Sequence, residues 1–335
     1  MKVFRAFGTL LASLGLVVLA LVATLQIYYS NLPTFLRTPA AGIFALIAVV
    51  MIAQGFRRRR RWSAFLVLFA AVFFWWWVAI PPSNDRNWQP DVRVLPWAEF
   101  KGDLVTVHNI RNCEYRTEND YTVHYYDRTF DLKQLTSLDA YLVYWGSPSI
   151  AHTMLSFGFK DGKYLCFSIE TRKEVGEGYS AIKGFFKQFE LTYIVADERD
   201  LVRLRTNYRE NGKGEDVYLY RLKVPAEFAR KVFLDYLHEV NSLKDHPEWY
   251  RALSTNCTTS ILRHTAKFNP DSQLDWRIIV NGYIDEMMYE RKRLDQSLPF
   301  TELKKRSYIN ERAKAVRDGE DFSRLIRIGL PGVTP

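Results

Sequence analysis

Asn256 and Cys257 open a segment that runs to His264, and their placement gives a thiol unusual chemical options. Asn is a favoured N-cap residue, so Cys257 falls at the first helical position. The helix dipole and the free backbone N–H groups there favour a thiolate. The same N–H groups can hold an oxyanion formed on an attacked carbonyl. A Cys that starts a helix is therefore suited to attack an acyl group. A small, inert residue buried in a helix's first turn has the same sequence pattern.

Such a nucleophile needs a base. Six histidines are available: His108, His124, His152, His238, His246 and His264. His264 shares a helical face with Cys257 but lies roughly 10 Å along the axis, beyond hydrogen-bond reach. His152 begins an apolar strand, and a strand His facing a helix-starting Cys makes a workable dyad. A solvated strand-edge His has the same spacing. His108, on an earlier strand, is the next candidate. A third group should orient the base. A two-residue turn at Asp161 and Gly162 would set Thr153 opposite Glu170 and His152 opposite Thr171. One bulge would bring Glu170 to the face of His152. Glu170 is the expected orienting group, with Ser168 and Thr171 as rivals and solvent exposure as the plain alternative. Arg111, Arg203 and Arg205 could hold anionic head groups or be solvated surface charges. Arg111, Arg205, Tyr179 and Asn256 form the candidate substrate-binding set. No CxxC or HExxH pattern occurs, so zinc has no support, and no metal or other cofactor is expected. Cys113, Cys166 and Cys257 do not make a disulfide framework, and at least one must be unpaired.

The elements that carry these residues fall into two unlike parts. Residues 1–80 hold eight of the 46 basic residues and none of the 37 acidic ones, so most of the net charge of +9 sits there. The remaining chain is close to neutral. That distribution argues against nucleic acid as a partner despite a pI of about 9.3. Apolar runs at about 6–28, 40–56 and 63–80 read as three membrane spans, the second near the short limit. A cleaved signal peptide is the other reading of the first run. Arg57 to Arg61 lie between the second and third runs. Short Arg-rich loops stay cytoplasmic, so the N-terminus with Lys2 and Arg5 is expected inside and everything after Ile80 outside. Trp75, Trp76 and Trp77 suit the outer interfacial belt.

After Pro81 and Pro82 the expected strands are Leu104–Ile110, Ala140–Trp145, His152–Phe159, Tyr164–Thr171, Leu191–Val195 and Val217–Val224. Asp161-Gly162 between apolar runs marks a hairpin. A helix is expected from Tyr179 to Phe189. A longer one opens at Pro225 and runs to about Leu243. Mostly helical sequence follows Asn256. This order predicts an α+β domain, an antiparallel sheet with helices segregated around it. The expected divisions are a membrane anchor over 1–82, a domain outside the cytoplasm over 85–290 and a helical tail over 291–335.

Four blocks then carry a resemblance. They are His152 through Phe159; Tyr179 through Gly184; Asp197 through Leu201 with Leu204 through Tyr208; and Thr255-Asn256-Cys257-Thr258-Thr259. Over about residues 85–290 the chain resembles the Lnb-type periplasmic domain, lipoprotein N-acyl transferase-like. The order of a strand His before a helix-starting Cys also resembles permuted papain-like thiol enzymes, the NlpC and lecithin:retinol acyltransferase groups. The resemblance implies a bacterial inner-membrane protein with a periplasmic domain. It implies that Cys257 takes an acyl chain from a lipid or lipoprotein ester as a thioester and passes it to an amine. Two alternatives stay open: a cell-envelope cysteine amidase or peptidase with the same dyad, and a non-enzymatic envelope module with a structural Cys257.

Overall fold

The computed structural model describes residues 2–252, 254–269 and 275–333. The side chains of Lys2 and Arg5, read above as topogenic charges, lie outside the described ones. The chain falls into two compact units, Met1–Ser83 with Ser180–Phe189, and Asn84–Tyr179 with Glu190–Pro335.

The first unit is built on three apolar helices, α1 (Lys2–Tyr28), α2 (Thr34–Gly55) and α3 (Arg60–Ala79). Each is long and apolar enough to cross a membrane. Leu14, Leu21, Ile43, Leu46, Val49, Val67 and Phe74 point outward and need an apolar solvent. Ala23, Phe44, Ala48, Ile52 and Phe65 form the seam between the helices. α2 is longer than its apolar run because it continues back through Pro39 to Thr34. Proline is tolerated there, in the second turn, where little of the helical ladder is lost. The α2–α3 turn is tight. A Cβ on Gly55 would lie 1.8 Å from the Trp62 ring, whose Nε1 donates to the Ile52 carbonyl.

Ser180–Phe189 belongs to this unit. It contains a short α4 (Ala181–Phe185) capped by Ser180, which replaces the longer helix expected from Tyr179. Lys187 Nζ donates to the Trp77 carbonyl at 2.7 Å, and Gln188 Nε2 to the Tyr29 carbonyl at 2.8 Å.

The second unit is α+β. Its strands are β1 (Trp97–Lys101), β2 (Leu104–Arg111), β3 (Glu114–Tyr115), β4 (Tyr121–Thr122), β5 (Tyr125–Asp131), β6 (Leu135–Tyr144), β7 (Ala151–Phe159), β8 (Tyr164–Arg172), β9 (Glu190–Ala196) and β10 (Asp216–Arg221). Eight of them form one sheet in the order β1-β2-β9-β8-β7-β6-β10, with β5 paired to β2. All its pairings are antiparallel except β2 with β9. The helices are α5 (Glu198–Arg203), α6 (Ala226–Asp245), α7 (Cys257–Ala266), α8 (Ile284–Glu290), α9 (Phe300–Ser307), α10 (Asn310–Ala315) and α11 (Phe322–Leu325).

Both sheet faces are covered, so β7 and β8 are buried almost throughout. On one face Phe157 and Phe167 pack edge-on against Phe233 and Tyr236 of α6. On the other, Tyr141, Val143, Met154 and Cys166 meet Leu201, Val202, Ile309, Ala313, Phe322 and Ile326. Residues beyond 290, expected as an appended tail, thus supply part of this core. Arg327 binds Asp139 and Glu198 at 2.7 Å each, all three buried, and Arg221 joins Asp139.

Candidate active site

The geometry of the site follows from one turn. Gly162 N donates to the Phe159 carbonyl and Phe159 N to the Lys163 carbonyl, with Gly162 at φ +79°. The β7–β8 loop is therefore three residues, Lys160-Asp161-Gly162, a type I turn closed by a left-handed glycine bulge. The two-residue turn expected from Asp-Gly is wrong by one residue. The register becomes Met154 opposite Ser168, and extending it by two brings His152 level with Glu170 on the same face. Thr171 is displaced from that position.

Pairing of β7 with β8 stops at Met154 and Ser168. Beyond it β7 follows β6 through Ala151, while β8 follows β9 through Arg172. The strands part like a fork, and a cavity of about 310 Å³ opens there. His152 and Glu170 line it from the two prongs. Asn256 and Cys257 line it from the start of α7. Thr153, whose side chain points to the opposite face from His152, touches Thr258 at 3.3 Å, and Asn281 Nδ2 donates to the Thr258 hydroxyl at 2.7 Å. These contacts fix the helix start at the fork.

Asn256 caps α7 as its type predicts. Its carbonyl oxygen accepts from Thr259 N at 2.9 Å, and Thr259 Oγ1 accepts from Asn256 N at 3.0 Å. Its Nδ2 donates to the Ala252 carbonyl, so the side chain read as substrate-binding is committed to the cap. Cys257 is 7% exposed. Burial pushes its thiol above the ordinary value, while the Thr153 and Thr258 amides and the Thr258 hydroxyl pull the other way. The simple expectation of a lowered pKa at a helix start is thus overridden by desolvation, and the resting thiol is neutral.

His152 Nε2 lies 2.7 Å from Ser168 Oγ, and Ser168 donates its proton to Glu170 Oε1 at 2.6 Å. A hydroxyl has one proton to give, so its oxygen accepts from Nε2–H. Burial, then the Arg205 charge, lowers the His152 pKa to about 3, so the ring is neutral. Nδ1 is then the bare nitrogen, assigned from the network. It has no hydrogen-bond partner among the described residues. Burial alone would raise the Glu170 carboxyl, yet Arg205, His152, Arg209 and the Ser168 bond hold it well below the usual range. Arg205 Nη2 meets Glu170 at 2.5 Å, and Glu215 binds Arg205 and Arg209 at 3.4 and 3.1 Å. Arg205 sits on a single π-helical turn, Leu204–Tyr208, a feature common at functional sites. Gly214 at φ +85° permits that turn, since a Cβ there would meet the Thr206 carbonyl at 2.1 Å.

The other expected residues divide. Tyr179 lines the cavity. Arg111 does not: it is buried in a two-pronged pair with Asp200 at 2.9 and 2.7 Å, which removes it from any head group. Arg203 pairs with Asp318. His108 pairs with Asp127 and stacks on Trp97, away from the cavity. Cys113 is pushed to about 12 and Cys166 well up by burial, and all three cysteines are free thiols. Sequence reasoning missed Lys173, Arg209, Glu215 and Tyr250 as lining residues. The spacing of Arg205 and Arg209, one helical turn apart, was the available signal for one of them.

Residues 121–282 match the family model of the Lnb N-terminal periplasmic domain. This segment is therefore similar to that domain. No curated protein and no solved structure matches the chain. The Lnb match contains Cys257, His152, Glu170 and Arg205. It leaves out β1, β2, β3, the three apolar helices and everything from Tyr283 onward. The match names a domain and no reaction.

Proposed function

We propose that this membrane-anchored Lnb-type protein is a thiol acyltransferase in which Cys257 is the nucleophile, His152 the base and Glu170, through Ser168, the orienting group. One observation carries the reading: the Ser168–Glu170 relay occupies Nε2 of a neutral His152 and leaves Nδ1 as a bare acceptor on a residue that shares its cavity with Cys257. In the first half-reaction Nδ1 takes the thiol proton as sulfur attacks an ester carbonyl. The Thr153 and Thr258 amides, which favour the charged sulfur, are the donors this reading assigns to the developing oxyanion. The alcohol leaves with the proton, and a thioester remains. In the second, an amine attacks the thioester, Nδ1 takes its proton, an amide forms and the thiol is restored.

The substrate reading rests on the cavity's rim. Ile150 and Ile279 line it and are exposed, Ile279 by 84%, beside Trp276. Apolar side chains left in water at a cavity mouth suit an acyl chain. The donor in this reading is a lipid or lipoprotein ester. Arg57–Arg61, at the α2–α3 turn, lie on the cytoplasmic side of the inner membrane, and the domain following α3 is periplasmic.

The test uses full-length protein in nanodiscs with a lipoprotein carrying a labelled ester-linked acyl chain. Wild type gives a hydroxylamine-sensitive labelled thioester and then labelled amide. Cys257→Ala gives neither. Undiminished transfer by Cys257→Ala would sink the proposal, and free fatty acid as the sole product would turn it into a hydrolase.

A further inference from the structure

The segment Ser180–Phe189 holds no acidic residue and two lysines, and its burial is one-sided. Gly184, Phe186, Lys187 and Phe189 are buried, whereas Ile182 and Phe185 are 56% and 49% exposed. Those two stand three residues apart on one face of α4. The buried side is fastened to the membrane helices at the end opposite the Arg57–Arg61 turn. Phe186 stacks on Tyr29 at 5.4 Å. The Lys187 ammonium lies 4.7 and 4.6 Å over the rings of Trp76 and Trp77 while it donates to the Trp77 carbonyl. That carbonyl is one of the last four of α3, which have no partner within the helix, and a cation is favoured there. Gln188 does the same for the Tyr29 carbonyl just past α1. Lys187 holds φ +53°, a left-handed conformation that costs a β-carbon-bearing residue energy and persists where surrounding contacts over-determine it.

We propose that Ser180–Phe189 is a membrane-surface foot, with Ile182 and Phe185 inserted at the headgroup–acyl boundary of the leaflet at this end of the bundle. Trp and Tyr at helix ends sit at headgroup level. A segment bonded to the carbonyls of Tyr29 and Trp77 is fixed at that same level. An exposed apolar pair held at that level meets the headgroup–acyl boundary as its solvent. Lys183 and Lys187 add the positive charge that anionic lipid attracts. The inference is independent of the chemistry at Cys257.

The experiment places an environment-sensitive dye at Ile182→Cys or Phe185→Cys in full-length protein, with Lys160→Cys on the exposed β7–β8 turn as reference. The native thiols are buried and spared by brief labelling. In nanodiscs of phosphatidylcholine and phosphatidylglycerol, the dye at 182 or 185 is expected to emit blue-shifted light. Shallow spin-labelled lipid should quench it, and iodide should quench it at least threefold less than at position 160. Lys187→Met in the same background should restore iodide access. Equal iodide quenching at all three positions overturns the proposal. So does shielding at 182 and 185 without quenching by spin-labelled lipid, which would mean a protein covers them instead.

Discussion

Two histidines in the α+β unit differ in one atom's surroundings. His264 spends both nitrogens: Nδ1 lies 2.6 Å from Asp235 and Nε2 2.7 Å from the Tyr193 hydroxyl, with the Tyr236 ring at 4.3 Å. An Asp-His-Tyr line of this kind has the outline of a proton relay, but none of its three residues lines the cavity that holds Cys257. It ties α7 to α6 and β9. His152 spends one nitrogen on Ser168 and keeps the other. Burial lowers the pKa of both. A carboxylate partner therefore does not mark a base. The role proposed for His152 rests instead on its vacant acceptor beside the cavity.

The largest expected effect is that of Cys257→Ala, which should cut acyl transfer at least about a thousand-fold, as loss of a nucleophile does. It sets the floor for the histidines. His152→Ala should lower the rate by roughly 10²–10⁴-fold, the usual contribution of a general base, with little change in melting temperature. His264→Ala should do the reverse. Stranding Asp235 and Tyr193 should cost about 1–3 kcal/mol of folding stability, seen as a shifted denaturation midpoint, while the folded protein keeps its rate. A stable but inactive His264→Ala would break the contrast. Glu170→Gln keeps the shape of the relay and removes its charge. A loss of about ten- to a hundredfold is expected, the scale for groups that only orient a functional His.

The smallest effect is on the pH dependence of stability. His152 is held neutral down to about 3, below the ordinary His value near 6.5. Its stabilising contribution is whole above about pH 6.5 and declines as pH falls toward 3, because the unfolded chain takes the proton first. His264 acts in the same direction. Glu170, with its lowered pKa, adds a loss only below about 4.3. Denaturation midpoints at pH 7 and pH 5 should therefore converge partly in His152→Gln and partly in His264→Gln. An unchanged slope in His152→Gln would show that His152 is not held neutral by the fold.

Legibility in the sequence tracked locality. The capping of Asn256, the long α6 and the three apolar helices are written in short-range pattern and form there, α2 starting earlier than its apolar run; the hairpin forms too, with a turn one residue longer. The register of His152 against Glu170 was off by one because Asp-Gly serves both two- and three-residue turns, and only long-range packing chooses between them. Arg111 was misassigned because its partner Asp200 lies 89 residues away. Arg205 was chosen for anion binding, and its carboxylate neighbours Glu170 and Glu215 could not be paired with it from spacing. The lowered thiol pKa failed for a different reason: burial is a property of the assembled fork and not of a helix start.

Arg327 has a consequence for synthesis. Asp139 emerges from the ribosome 188 residues before the guanidinium that neutralises it, and Glu198 emerges 129 before. Until Arg327 arrives, closing the sheet would enclose Glu198 without its cation and leave Asp139 to Arg221 alone, which is costly. The membrane helices can be in place long before the domain commits to its fold. For the same reason a fragment trimmed to residues 121–282 would carry Cys257, His152, Ser168 and Glu170, yet lack Arg327.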